Sequence, residues 1–590
     1  MLAALSISVA AQQPVDVERR ALTIPMRDGT RHSAIAFIPR GASALLPIIL
    51  VRTPFVAARI FRGPGVPAAY QELAQDGYIF VAEDIRGRGE SGGTFITNRA
   101  QNDPRNPPGI NESTDAYDAI DWLVKNLPDN SGRVGVMGTS YQGWLAGLAG
   151  VGAHPALKAI SPQAPTTDTW MGDDFFHQGA FRMNQAVAFA AYIEGTNGLD
   201  IPDHDQFAFY LRQPTLEAVA RATGVSARPS WLGFVAHPAY DGYWQGKAMQ
   251  RVFVTSQVPT LFVGGFWDEE DLLGAPLAYH TLERADTKGQ NRIVMGPWNH
   301  GQWNRPGGDT LGALRFGSRT ADEYREKILR PWFAYYLHDT GDGRFPEAWV
   351  FESGSNAWRT FDAWPPRDAV TRQLYLGENG LLAFEPPPAR AAAYDAWTSD
   401  PAHPVPYMPR PDDGEHWGTW MQQDQRFVDN RPDVRTWTSA PLASDLTLAG
   451  DVTAHLFAST TGSDADWVVK LIDVYPDSTG EPLLAGGHQL IVNADIMRGR
   501  YWKGFGVATP IPPNTVTPFT VALHEQLHRF KRGHRLMVQV QSSWFPLYDR
   551  NPQQFVPNIF RASASDYAAQ EHRVWHTPRY PSHLSVQFLP

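Results

Sequence analysis

The 590-residue chain contains no cysteine. That excludes disulfide staples, thiolate nucleophiles and cysteine-ligated zinc, and it leaves the redox compartment open. Lysine- or arginine-rich runs are also missing, and the formal net charge is −10. Nucleic acid and anionic membrane surfaces are therefore excluded as expected partners, whereas small cationic ligands are compatible with the charge. Beyond the first residues, no stretch approaches the ~18 continuous apolar residues of a membrane-spanning helix. Residues 1–13 read as the apolar part of a signal peptide ending in small residues near Ala10 or Ala11, although no Lys or Arg precedes the run. The expectation is a periplasmic or secreted protein with an incomplete leader, the cytoplasm staying open.

What is present is ample core material. A length of 590 residues exceeds one core, so two or three domains are expected, and 43% of residues are hydrophobic. With 20 Trp, 20 Tyr and 30 Phe the chain can build large rigid cores or aromatic-lined clefts. Residues 46–51 and 78–83 read as strands, 114–126 as an amphipathic helix, 133–137 as a strand and 141–153 as a helix. This alternation predicts a doubly wound α/β domain. Between 166 and 245 the strand signal gives way to aromatic, helix-compatible sequence, then returns at 252–263 and 292–295. Beyond about 370 the texture changes to short alternating strands, at 452–457, 467–474 and 536–541, which predict a β-sandwich or jelly roll. The proline-rich segment 386–415 reads as an extended strap, and no internal repeat is present. The expected organisation is a possible signal remnant and N-terminal arm over 1–19, an α/β domain over 20–165 and 246–369, a helical insertion over 166–245, and a C-terminal all-β sandwich or jelly roll over 370–590.

Three residues stand just past short apolar runs in the order Ser, Asp, His: Ser140 after 133–137, Asp268 after 259–263, and His300 after 292–295. That is the chain order of an α/β-hydrolase triad, and parallel sheets place their sites at the carboxyl ends of such strands. Ser140 lies in Gly138-Thr139-Ser140-Tyr141-Gln142-Gly143, where two glycines permit a sharp strand-to-helix turn. The following helix would offer free N–H groups and positive dipole to an oxyanion. Position 142 is Gln where the usual elbow has Gly. A second motif, His524-Glu525-Gln526-Leu527-His528, fits the H-E-x-x-H pattern of zinc hydrolases. Strand-like sequence on both sides and an early Gly533 oppose the helix that zinc ligation requires. His154, His177 and His488 read as surface or satisfied core residues.

The elbow, Asp84-Ile-Arg-Gly-Arg-Gly89, Trp267-Asp-Glu-Glu-Asp271, Met295-Gly-Pro-Trp-Asn-His300 and the segment from Asp466 to Pro476 together resemble the cocaine esterase and X-prolyl dipeptidyl peptidase group of serine hydrolases. Within it, they most resemble α-amino acid ester hydrolases, over about residues 20–585. The resemblance implies an α/β-hydrolase domain with a helical cap and a C-terminal jelly roll. It also implies that Asp174, Glu270 and Asp271 form a carboxylate cluster for the substrate's α-ammonium. The family's oxyanion hole combines the N–H after the nucleophile, here Tyr141, with a tyrosine hydroxyl at the position of Phe55, which has no donor. By resemblance, the acyl-enzyme could pass to water or to an amine such as a β-lactam nucleus, and the assembly could be a homotetramer. No metal or organic cofactor is implied. Three other readings stay open: a cocaine-esterase-like or glutaryl-acylase-like hydrolase without α-amino selectivity, an X-prolyl dipeptidyl peptidase, and a non-enzymatic carbohydrate-binding protein. An X-prolyl dipeptidyl peptidase would use the acids to hold a peptide N-terminus, and the bland reading of the acids is a solvated loop or a helix N-terminal charge bias.

Overall fold

The computed structural model describes residues 15–195, 198–388, 393–478 and 484–590; the leader expected in residues 1–13 lies outside them. Ten strands form one sheet: β1 (Val17–Pro25), β2 (Arg31–Pro39), β3 (Leu46–Thr53), β4 (Ile79–Asp84), β5 (Asn130–Thr139), β6 (Leu157–Gln163), β7 (Thr260–Gly265), β8 (Asn291–Gly296), β9 (Ala348–Glu352) and β10 (Ala357–Phe361). Their spatial order is β1-β2-β4-β3-β5-β6-β7-β8-β9-β10. From β4 to β9 all neighbours are parallel, with antiparallel pairs only at the two edges. Every residue of β3, β4 and β7 is buried. This is why these strands are written as unbroken apolar runs rather than alternating ones: helices cover both faces.

Two helices fix the site's half of the sheet. Helix α1 (Glu112–Asn126) starts at a reciprocal cap, in which Thr114 N–H donates to Asn111 Oδ1 at 3.0 Å and Asn111 N–H donates to Thr114 Oγ1 at 2.9 Å. Helix α2 (Tyr141–Ala149) follows β5 and is buried almost throughout. Between β6 and β7 the chain leaves the sheet and, among the described residues, forms five short α-helices, the first being α3 (Met183–Glu194) and the last Gly242–Lys247. Aromatic side chains of these helices, including Trp231, Phe234 and Trp244, and of the segment before them, Phe175, Phe176 and Phe181, share one core with the C-terminal domain. No helix among the described residues is long and apolar enough to cross a membrane.

From Val370 onward the structure is antiparallel β, in sheets of eight and four strands. The long strand Leu446–Thr460 pairs with Thr517–Phe530 and with His583–Phe588. Two expectations need correction. The strap over 386–415 is interrupted by a strand, Tyr394–Ser399, paired with Gln570–Thr577. Only the end of 252–263 is strand; Phe253 is buried where it packs beside Gly150 of the elbow helix, so its apolar character reflects packing rather than extension.

Candidate active site

Strand β5 ends at Thr139, and Ser140 occupies φ 65°, ψ −129°, a conformation that costs a non-glycine residue free energy and is held by its surroundings. Both flanking glycines are required. A Cβ on Gly138 would lie 2.5 Å from Gln142 Cβ, and one on Gly143 would lie 2.3 Å from the Gln163 carbonyl oxygen. Ser140 N–H donates to that same Gln163 carbonyl at 2.9 Å. The departure at position 142 has a function in the fold: Gln142 Nε2 donates to Thr53 Oγ1 at 2.9 Å, tying the elbow to the end of β3. Tyr141 opens helix α2, so its amide lies among the free N–H groups of a helix N-terminus.

The ends of β7 and β8 bring Asp268 and His300 together. His300 Nδ1 lies 2.9 and 3.0 Å from the two Asp268 carboxylate oxygens. With Nδ1–H donating there, Nε2 carries the lone pair whenever the ring is neutral. Asp268 Oδ1 also accepts from the backbone N–H of Glu270 at 2.9 Å and of Asp271 at 2.8 Å. Burial alone would raise the Asp268 carboxyl, but His300 and these donors outweigh it and hold the group below the usual carboxylate range. Burial would likewise lower His300, yet Asp268 and Glu270 overcome it and hold the imidazole well above its ordinary value.

The other acids converge on the same point. The Ser140 hydroxyl donates to Asp271 Oδ2 at 3.2 Å, and among the described residues it makes no hydrogen bond to His300. His300 Nε2 faces Glu270 Oε2 at 3.6 Å. Asp174, in the loop after β6 and at φ 43°, is stitched to the β7 loop by its N–H to the Glu270 carbonyl at 3.1 Å. Burial and then the charge of Glu270 push the Asp174 carboxyl up to about 7. Burial, reinforced by Asp174, raises Asp271 well above the carboxylate range, and Asp271 Oδ1 is buried with no hydrogen-bond partner.

Several participants were not assigned from sequence. Glu269 accepts from the His300 backbone N–H at 2.9 Å, and burial with the charge of Asp268 pushes it up to about 8. Asp173 is fully buried and holds the Asp168 N–H at 2.9 Å. Gln185 Nε2 on α3 donates to Asp174 Oδ1 at 3.3 Å, and Trp417 Nε1 donates to Glu270 Oε1 at 3.1 Å. The last two come from distant parts of the chain and carry no local motif.

Phe55 follows β3 and is half-buried, its ring 6.4 Å from that of Tyr141 and 6.0 Å from that of Tyr192 on α3. The Tyr141 hydroxyl is occupied, accepting the Asn98 N–H at 2.6 Å. The His524–His528 segment lies in the strand Thr517–Phe530, not a helix, and its two histidines diverge. His528 meets Asp473 at 3.1 Å, while His524 meets Asp495 at 2.6 Å. Asp495 also pairs with His177 at 2.8 Å, giving the one His/Asp set among the described residues whose donor atoms could converge on a metal. Mutual hydrogen bonding accounts for these three groups, and Arg182 Nη1 stands 3.5 Å from His177.

Residues 28–302 match the family model of the X-Pro dipeptidyl-peptidase (S15 family), and residues 330–585 match the X-Pro dipeptidyl-peptidase C-terminal non-catalytic domain. An aminopeptidase from a marine sediment archaeon (Thaumarchaeota archaeon) has a similar structure, with a TM-score of 0.94 and 41% identity over 99% of both chains. An α-amino acid ester hydrolase superposes with a TM-score of 0.93 and 40% identity over the whole of both chains. Cocaine esterase from Rhodococcus sp. is 28% identical over 96% of this chain and 97% of its own. A serine on a strained elbow, an Asp-oriented histidine and both matching domains lead to one conclusion: the chain is a serine hydrolase belonging to the S15 and cocaine esterase family.

Proposed function

We propose that the protein hydrolyses esters and amides of α-amino acids through an acyl-enzyme on Ser140, and can pass the acyl group to an amine. The observation that carries this reading is the surplus of buried acid beside the nucleophile. A triad needs one carboxylate; here Asp174, Glu270 and Asp271 are added, and Asp271 Oδ1 lacks any partner. Asp174 and Asp271, whose carboxyls are raised by burial and by neighbouring charge, stand with Glu270 as a site prepared for a cation. An ammonium about 4 Å from one carboxylate gains on the order of 4 kcal/mol at an effective dielectric near 20, before desolvation. Two relatives at about 40% identity, named an aminopeptidase and an α-amino acid ester hydrolase, support the same class.

The chemistry follows from the contacts. The substrate's α-ammonium gives Asp271 a stronger donor than the Ser140 hydroxyl, so the hydroxyl turns to His300 Nε2. The added positive charge also lowers the His300 pKa, converting the imidazole into a base. His300 takes the Ser140 proton as Oγ attacks the acyl carbonyl, and Asp268 steadies the imidazolium. The oxyanion meets the Tyr141 N–H; His300 then protonates the leaving alcohol or amine, and water, or an acceptor amine, releases the acyl group.

The test is a pair of esters differing only in the α-amino group, such as phenylglycine and phenylacetic methyl esters. The expected outcome is a kcat/KM at least tenfold higher for the amino ester, lost in Glu270→Gln. Equal rates would leave a serine esterase without α-amino selectivity.

A further inference from the structure

A second space adjoins Gln185 and Trp417, the two side chains that hydrogen-bond the carboxylate cluster at Asp174 and Glu270. It is a cavity of about 470 Å³ between helix α3 and the chain around 407–417. Its walls are apolar at Ala188, Leu199 and Ile201, and its outer part carries Asp200, Asp203 and Asp413. Asp203 is paired with Arg212, but Asp200 and Asp413 are exposed and have no cationic partner among the described residues. No lysine or arginine lines the space. A second, independent sign of a ligand is Tyr210: it is 1% exposed, lines the cavity, and its buried hydroxyl has no hydrogen-bond partner.

Resting on the α-amino reading above, we propose that this cavity is an acyl side-chain subsite for long basic groups, as in lysyl and arginyl esters and amides. The methylene stem would run along Ala188, Leu199 and Ile201, where burying apolar surface is favourable. The cationic end would reach the hydroxyl of Tyr210 and the carboxylates of Asp200 and Asp413. Long basic side chains suit such a cleft because their stems bury while their heads stay near water and charge. A neutral chain of equal length gains only the stem.

The measurement is kcat/KM for alanyl, norleucyl and lysyl methyl esters. The unaltered enzyme should prefer lysyl over norleucyl at least tenfold. In the double variant Asp200→Asn with Asp413→Asn that ratio should fall toward one, with alanyl turnover unchanged. Ala188→Phe, which fills the space, should depress lysyl and norleucyl turnover together and spare alanyl. Norleucyl turnover equal to lysyl in the unaltered enzyme, or a ratio that survives the double variant, would overturn the subsite. A propionyl ester separates the two readings. Alanyl no better than propionyl defeats α-amino recognition at the cluster, while the lysyl-to-norleucyl ratio still reports on the cavity.

Discussion

Buried charge is handled in opposite ways in the C-terminal sheets and at the carboxyl edge of the α/β sheet. In the sheets of the C-terminal domain buried acids have a cation or imidazole fitted to them, although Asp412, in the chain outside those strands, has none among the described residues. Arg498 is clamped by Asp466 at 2.8 and 2.9 Å, Asp473 is shared by His528 and His534, and Asp495 by His177 and His524. Despite burial, Asp473 and Asp495 are held below the usual carboxylate range by those partners. At the carboxyl edge of the α/β sheet the balance is reversed. Asp173, Asp174, Glu269 and Asp271 are all driven upward, with burial the largest cause in each case, and too few donors stand among them. Matched charge holds two sheets together; unmatched charge stores free energy that a ligand can release.

The largest expected effect removes the reaction itself, taking from the acids only the one donor that Ser140 gives Asp271. Ser140→Ala should keep the fold and lower turnover by at least about 10⁴-fold, as loss of a triad nucleophile does. Labelling by a fluorophosphonate followed by mass spectrometry should report Ser140 alone. Label on another serine would separate the acid cluster from the chemistry and break the comparison at its root.

Next comes the comparison itself, read as stability. Asp466→Asn leaves a buried guanidinium short of its bidentate partner and should destabilise the fold by about 3–5 kcal/mol. Asp271→Asn removes one of several repelling acids, so thermal unfolding should stay put or move upward, while KM for α-amino esters rises and that for des-amino esters does not. If both substitutions destabilise alike, the site acids serve structure just as the C-terminal ones do.

How far this contrast could be read from sequence depends on what each residue answers to. Ser140, Asp268 and His300 were legible because each terminates a short strand whose unbroken apolar run is imposed by burial on both faces. The cluster of Asp174, Glu270 and Asp271 was legible only by resemblance, since acids in a loop look the same whether solvated or buried. Gln185 and Trp417 were hidden: one belongs to the cap, the other follows a proline-rich stretch, and only the fold brings them to the carboxylates. The strand Tyr394–Ser399 was hidden for another reason. Its buried positions are only Trp397 and the polar Ser399, so the sequence shows no run of alternating apolar residues to mark a half-buried strand. The same shortage of donors was legible at Phe55, where a side chain that cannot donate follows β3.

That position gives a smaller, activating prediction. Phe55→Tyr adds a donor to a site rich in acceptors, aimed at charge that develops only in the transition state. It should raise kcat about 10²-fold with little change in KM, the scale of one oxyanion donor. A neutral result in a folded, active enzyme would assign the second donor elsewhere. The exposed Tyr192, whose ring lies 6.0 Å from Phe55, is the group to substitute next.

The smallest effect is a displacement of the pH profile, and its sign follows from the acids around His300. In a site holding a des-amino ester, Asp268 and Glu270 keep the imidazole pKa well above ordinary, so the base is lost as pH falls through that raised value. An α-ammonium among the same acids adds positive charge and neutralises part of the negative, lowering the His300 pKa. At an effective dielectric near 20 and about 6 Å, this repulsion is close to 3 kcal/mol before relaxation, and 1.36 kcal/mol corresponds to one unit. The acidic limb of kcat, which reports the enzyme–substrate complex, should therefore lie about one unit or more lower for α-amino than for des-amino esters. On the alkaline side the order reverses: kcat/KM for the amino ester should fall as its own ammonium, near ~7.7 in the reference case, loses its proton. Des-amino esters should show no such fall. Coincident acidic limbs for the two substrates would mean that the ammonium is not held among the acids that charge His300, and the contrast between the two regions would lose its catalytic meaning.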